Sequence, residues 1–103
     1  MAAKHVTFWK MKTKPGKIND IIKIMASTED QERIKARGWQ ATVVGTRKGN
    51  PDEIWGMVTW DNTDNYKKNA DSPDQNADYE KMRELLAADP EWFDCDVVEE
   101  SRA

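Results

Sequence analysis

The chain has 103 residues, with 16 Lys or Arg against 19 Asp or Glu and a formal charge of −3. That length suits a single domain over residues 1–103 with a modest core. The acidic balance offers no long-range attraction to phosphate backbones and excludes nucleic acid as the expected partner.

A lone cysteine, Cys95, leaves no internal disulfide and no CxxC motif, and is expected as a small buried apolar residue. His5 stands without the second histidine that HxH or HExxH metal spacings need, so no metal is expected. Residues 1–5 lack the apolar run of a secretory signal, and no later stretch is long enough to span a bilayer. The expected setting is cytoplasmic, with no membrane association.

His5–Met11 (HVTFWKM) is rich in β-branched and aromatic residues and is closed by Lys14-Pro15-Gly16, which predicts a strand and a turn. Ile18, Ile21, Ile22 and Met25 recur at helical spacing and predict a helix with one apolar face. Thr28 and Gln31 have capping-box spacing, so the helix is expected to kink there and continue through Ile34 to Gly38. Trp39–Lys48 and Glu53–Trp60 then read as a hairpin about the turn Gly49-Asn50-Pro51-Asp52. A further helical region opens near Asp61–Thr63 and carries Tyr66, and Ser72-Pro73-Asp74-Gln75 supplies a fresh start for a helix with Tyr79, Met82, Leu85 and Leu86 on its apolar face. Asp89-Pro90 ends it, and Trp92–Glu99 reads as the last strand, with Phe93, Cys95 and Val97 on one side.

The order β-α-β-β-α-β predicts an α+β, ferredoxin-like domain: a four-stranded antiparallel sheet with its helices on one face. Both faces of the strands are apolar, with Val6 and Phe8 opposed to Thr7, Trp9 and Met11, and Trp55 and Met57 opposed to Ile54, Val58 and Trp60. Helices cover only one face. The expected cover for the other is a second copy of the same sheet, in a homodimer with two-fold symmetry.

The segments HVTFWKMKTKPGKINDIIKIM, Gly38-Trp39, NPDEIWGMVTWDNTDNYKKNADSP and DPEWFDCDVVEE together resemble the antibiotic biosynthesis monooxygenase domain, over nearly the whole chain. The Pro-Gly after the first strand, Trp60-Asp61 and Ser72-Pro73 carry the resemblance. It implies a dimeric α/β barrel and, among several activities of the family, cofactor-independent oxygenation of an aromatic or quinone-like small molecule. The family's haem-degrading members use an asparagine, a tryptophan and a histidine whose places fall on or near Trp9, Asn69 and Tyr79. The histidine is absent, and no cofactor is expected.

Under this resemblance the site lies between sheet and helices. Trp9 donates its indole N–H to a substrate oxygen, Asn69 orients a carbonyl or hydroxyl, and Tyr79 or His5 moves the proton. The competing reading makes Trp9, Trp55 and Trp60 core or interface residues, Trp39 and Trp92 corner anchors, and Tyr79 a buried tyrosine on a packed helix face. The protein is then a non-catalytic binding domain or a structural homodimer. No phosphate loop or nucleophile elbow is present to decide between these.

Overall fold

Alternation along the first strand sets the architecture. In the computed structural model, which describes residues 2–103, β1 (His5–Lys12) buries His5, Thr7, Trp9 and Met11 and leaves Phe8 and Lys12 exposed. Met1, which heads the segment read as lacking an apolar leader, lies outside the described residues. After the Pro15-Gly16 turn come α1 (Ile18–Met25) and α2 (Thr28–Lys35), then β2 (Trp39–Arg47) and β3 (Asn50–Trp60). These are followed by α3 (Thr63–Ala70), α4 (Pro73–Arg83) and β4 (Glu91–Asp96).

The four strands form one sheet in the order β2-β3-β1-β4, with all three pairings antiparallel. This is the predicted α+β, ferredoxin-like arrangement. Its core lies under the helices: Trp9, Met11 and Ile54 from the sheet meet Ile21 of α1, Met82 of α4, and Leu86 just beyond α4. Among the described residues no helix is long and apolar enough to cross a membrane.

Local boundaries depart from expectation for physical reasons. Ser27, not Thr28, caps α2, its hydroxyl accepting the Asp30 N–H at 3.4 Å, while the Thr28 side chain lies outside the described residues. The hairpin turns earlier than Gly49-Asn50-Pro51-Asp52: Arg47 pairs with Asn50, and Gly49 takes φ 82°, so Asn50 and Pro51 already belong to β3. Ser72 precedes Pro73 as expected, but its hydroxyl donates to the Asn69 carbonyl at 2.6 Å and makes no cap bond to α4. Leu85 and Leu86 fall beyond the end of α4, and Thr13 bridges to Leu86. Beyond β4, the Val97 N–H donates to the Lys4 carbonyl at 3.1 Å and the Glu100 carboxylate accepts the Ala3 N–H at 3.0 Å.

On the side away from the helices, cross-strand register brings Phe8 beside Met57 and Phe93, Met57 beside Val43, and Lys10 beside Trp55. Phe8 is 44% exposed, Trp55 46% and Phe93 50% in the single chain. Cys95 lies on this face too and is exposed, which corrects the expectation that it is buried. Cys95 sits on the edge strand β4, where among the described residues no helix covers it, and it stays open in the single chain, whereas its partner Val6 on central β1 is buried. Trp55 and Trp60 face opposite ways, as alternation requires, and only Trp60 is buried.

Candidate functional site

On the helix-covered face, β1 and β4 place their residues in facing pairs: His5 with Asp96, Thr7 with Asp94, and Trp9 with Trp92. The last two pairs set a hydroxyl and a carboxylate beside two indoles. The ring centroids of Trp9 and Trp92 are 6.3 Å apart, and Tyr79 of α4 reaches to 6.4 Å from Trp92. At the other end Tyr66 of α3 stacks on His5 at 4.3 Å and meets Trp60 edge-on at 6.1 Å. These residues line one exposed stretch of β4, the β4 bay, with Tyr66 at one end, Tyr79 and Trp92 at the other, and Thr7 with Asp94 between them.

Hydrogen bonds link the polar groups into a chain. His5 Nδ1 lies 3.1 Å from Thr63 Oγ1, its Nε2 lies 2.7 Å from Thr7 Oγ1, and the Thr7 hydroxyl donates to Asp94 Oδ1 at 2.7 Å. His5 is 1% exposed and Thr7 0%, whereas Asp94 opens to the surface. Burial raises the Tyr66 pKa, and the Asp94 carboxylate adds to this while the Thr7 hydroxyl opposes it. A raised folded-state pKa means that this contribution to stability is complete below the unfolded tyrosine value of about 10 and is lost as pH rises through the folded value. Tyr66→Phe is expected to lack that alkaline loss, and the difference between its ultraviolet phenolate titration and that of the native chain should show a midpoint above the ordinary value. A difference midpoint at the ordinary value would contradict the burial of this phenol.

The four residues singled out from sequence do not converge. Trp9 and Tyr79 meet through Trp92, and His5 lies along the same strand face beyond Thr7. Trp9 is itself a core residue, 4% exposed and clustered with Met82 and Leu86. Asn69 sits elsewhere: its side-chain carbonyl accepts from Arg37 at 2.9 Å, and Arg37 also pairs with Asp74 at 3.0 Å. The hydrogen bond from Arg37, with Ser72 assisting, holds the Asp74 carboxyl below the usual range. Two open clefts of about 570 and 540 Å³ share Arg37 and Asn65, and Asn69 lines the second. Neither is lined by His5, Trp9 or Tyr79.

Sequence reasoning missed Asp94, Tyr66 and Thr63 as members of this cluster and assigned Trp92 to a corner. Trp92-Phe93-Asp94 does carry a signal, because alternation puts Trp92 and Asp94 together on the face opposite Phe93. An acid on a strand face otherwise turned toward helices is the feature to notice. Its pairing with Thr7 depends on strand register, which a single sequence leaves open.

No family model matches the chain, and no curated protein matches it. Solved structures do. A candidate antibiotic biosynthesis monooxygenase from Chloroflexus aurantiacus is 25% identical, with a TM-score of 0.74 over 97% of this chain and 98% of the other. A dimeric ferredoxin-like protein from an uncultured marine organism is 16% identical, with a TM-score of 0.80 over 99% of this chain and 94% of its own. A candidate antibiotic biosynthesis monooxygenase from Caulobacter crescentus is 15% identical, with a TM-score of 0.80 over 94% and 92% of the two chains. The ferredoxin-like fold of the single chain implied by the resemblance is thus observed: this chain shares its architecture with solved structures of antibiotic biosynthesis monooxygenase type.

Proposed function

We propose that the chain is a cofactor-independent monooxygenase acting on an aromatic or quinone-like small molecule, working as a cytosolic homodimer joined through its uncovered sheet faces. One observation carries the reading: the buried His5–Thr7 pair reaches the surface at Asp94, on the strand face that carries half-exposed Trp92 with partly buried Tyr79 next to it. Aromatic walls hold a planar ring by stacking, and the adjoining polar chain handles its proton. Fold alone does not fix an activity, so the argument rests on this cluster.

In this reading the ligand proton passes to the polar chain in which His5 is the buried member, Tyr79 stands beside the ring, and Trp9, next to Trp92, forms the floor. Asn69 has its carbonyl engaged by Arg37 and lines the neighbouring cleft, apart from the β4 cluster. The exposed, unbridged Cys95 fits a reducing compartment.

A second reading has its own observation. Trp9, Met82 and Leu86 fill the space between sheet and helices, as they would in a non-catalytic binding domain or a structural homodimer. Oxygen-electrode assays on a panel of phenols and hydroquinones separate the two. The oxygenase reading expects dioxygen uptake with one oxygen atom incorporated into product, falling by about 10²-fold or more in Tyr79→Phe or His5→Gln. Uptake no faster than buffer across the panel leaves the non-catalytic dimer.

A further inference from the structure

The hydrogen-bonded chain through β1 has a fixed direction. An ionised carboxylate only accepts, so the 2.7 Å contact from Thr7 to Asp94 Oδ1 uses the single proton of the Thr7 hydroxyl. Thr7 Oγ1 must then accept at its other 2.7 Å contact, which places a proton on His5 Nε2. In the neutral ring the remaining nitrogen, Nδ1, accepts from the Thr63 hydroxyl at 3.1 Å. Every proton therefore points one way, from Thr63 through His5 and Thr7 to Asp94. Both middle members are buried, so water does not replace either link. Asp94 at the open end makes no ion pair with the lysines and arginines that bridge other acids among the described residues.

We propose that Asp94 is the acceptor that reads a ligand hydroxyl in the bay, and that His5 and Thr63 are positioning residues that hold Thr7, and through it the carboxylate, in the accepting orientation. This rests on the site reading above and names its specificity-determining residue. The ligand fitted is a neutral ring with a free O–H: Asp94 already accepts from Thr7 and has the Tyr66 hydroxyl beside it, and a ligand hydroxyl adds a further donor that an ether cannot, whereas an anion is repelled by Asp94 and by Asp96 on the same strand face. In the chemical step the ligand O–H bond breaks and its proton goes to Asp94. The bonding electron pair stays on the ligand oxygen, and the protein changes no oxidation state.

Binding can be read without turnover, by quenching of tryptophan fluorescence with naphthol, its methyl ether and naphthoate. The native chain should bind naphthol roughly tenfold or more tighter than the ether, as a hydrogen bond to a charged group implies, and naphthoate weaker still. Asp94→Asn turns an amide N–H toward the bay and should abolish or reverse the preference for the hydroxyl. Thr7→Val, nearly the same shape, should lower it severalfold, and imidazole nitrogen NMR of the native chain should show His5 protonated on Nε2. Equal affinity for naphthol and its ether, no saturable quenching by naphthol, or His5 protonated on Nδ1 overturns the proposal. A preserved hydroxyl preference without dioxygen uptake supports the proposal and removes only the oxygenase reading.

Discussion

Gly56→Ala should lower stability by about 3 kcal/mol, the upper part of the range for overpacking a filled core. Glycine to alanine within a strand ordinarily favours the fold, so the expected sign is the reverse of the local rule. The reason is Trp9. Register sets Gly56 directly opposite it, and a Cβ at residue 56 would overlap carbon atoms of the indole. That ring has little room to retreat, because it packs with Met82 and Leu86 and is flanked by Trp92 on the neighbouring strand. Thermal unfolding at fixed protein concentration should register a drop of roughly 10–20 °C for a domain of this size. Combining Gly56→Ala with Trp9→Leu tests the cause: if the clash dominates, the double variant loses less than the sum of the single losses, with a coupling of about 1–2 kcal/mol. A Gly56→Ala variant as stable as the native chain would show that the indole has another place to lie.

Periodicity made the fold legible where burial is one-sided. Ile21 and Met82 could be assigned to inward helix faces because the apolar stripes around them repeat at helical spacing, and both are buried. Trp55 and Trp60 were separable for the matching reason in a strand, whose side chains alternate. Turn chemistry was less certain: Asn50 and Pro51 carry turn propensity, yet Gly49 with positive φ lets the hairpin close before them. Prolines are tolerated at the start of a strand, and Pro51 uses that allowance.

The candidate site was only half legible. Its β1 members, His5, Thr7 and Trp9, share one strand face and could be grouped from alternation alone. Asp94 and Trp92 join them through the β1–β4 register, and Tyr66 through the docking of α3, which are long-range arrangements that a linear pattern does not encode. Asn69 shows the converse. The family resemblance implied a pocket residue, but Arg37, from the turn after α2, holds its carbonyl. A charged donor forms a stronger hydrogen bond than a neutral one, and its reach across helices has no local signature.

Phe8→Glu should convert the proposed dimer to monomer with the fold of each chain retained. Phe8 lies on a central strand, beside Met57 on one side and Phe93 on the other, so it occupies the middle of the apolar patch. Its side chain points away from the helices and is half-exposed in the single chain, so the core of Trp9, Ile21, Ile54 and Leu86 is not disturbed by the change. A two-fold interface presents each substituted position twice. Two aromatic anchors at about 2 kcal/mol each, before counting the burial of two carboxylates, imply a dissociation constant raised by about 10³-fold or more. Sedimentation over a dilution series measures this directly, and circular dichroism reports whether the fold persists. Trp55→Glu, on the same face but beside Lys10, whose ammonium lies 5.4 Å from the Trp55 ring centroid, should weaken association less because that cation partly compensates the new charge. A native chain that sediments as a monomer at high concentration, or a Phe8→Glu variant that remains dimeric, would place the contact elsewhere and leave Phe8, Trp55 and Phe93 open to a different partner.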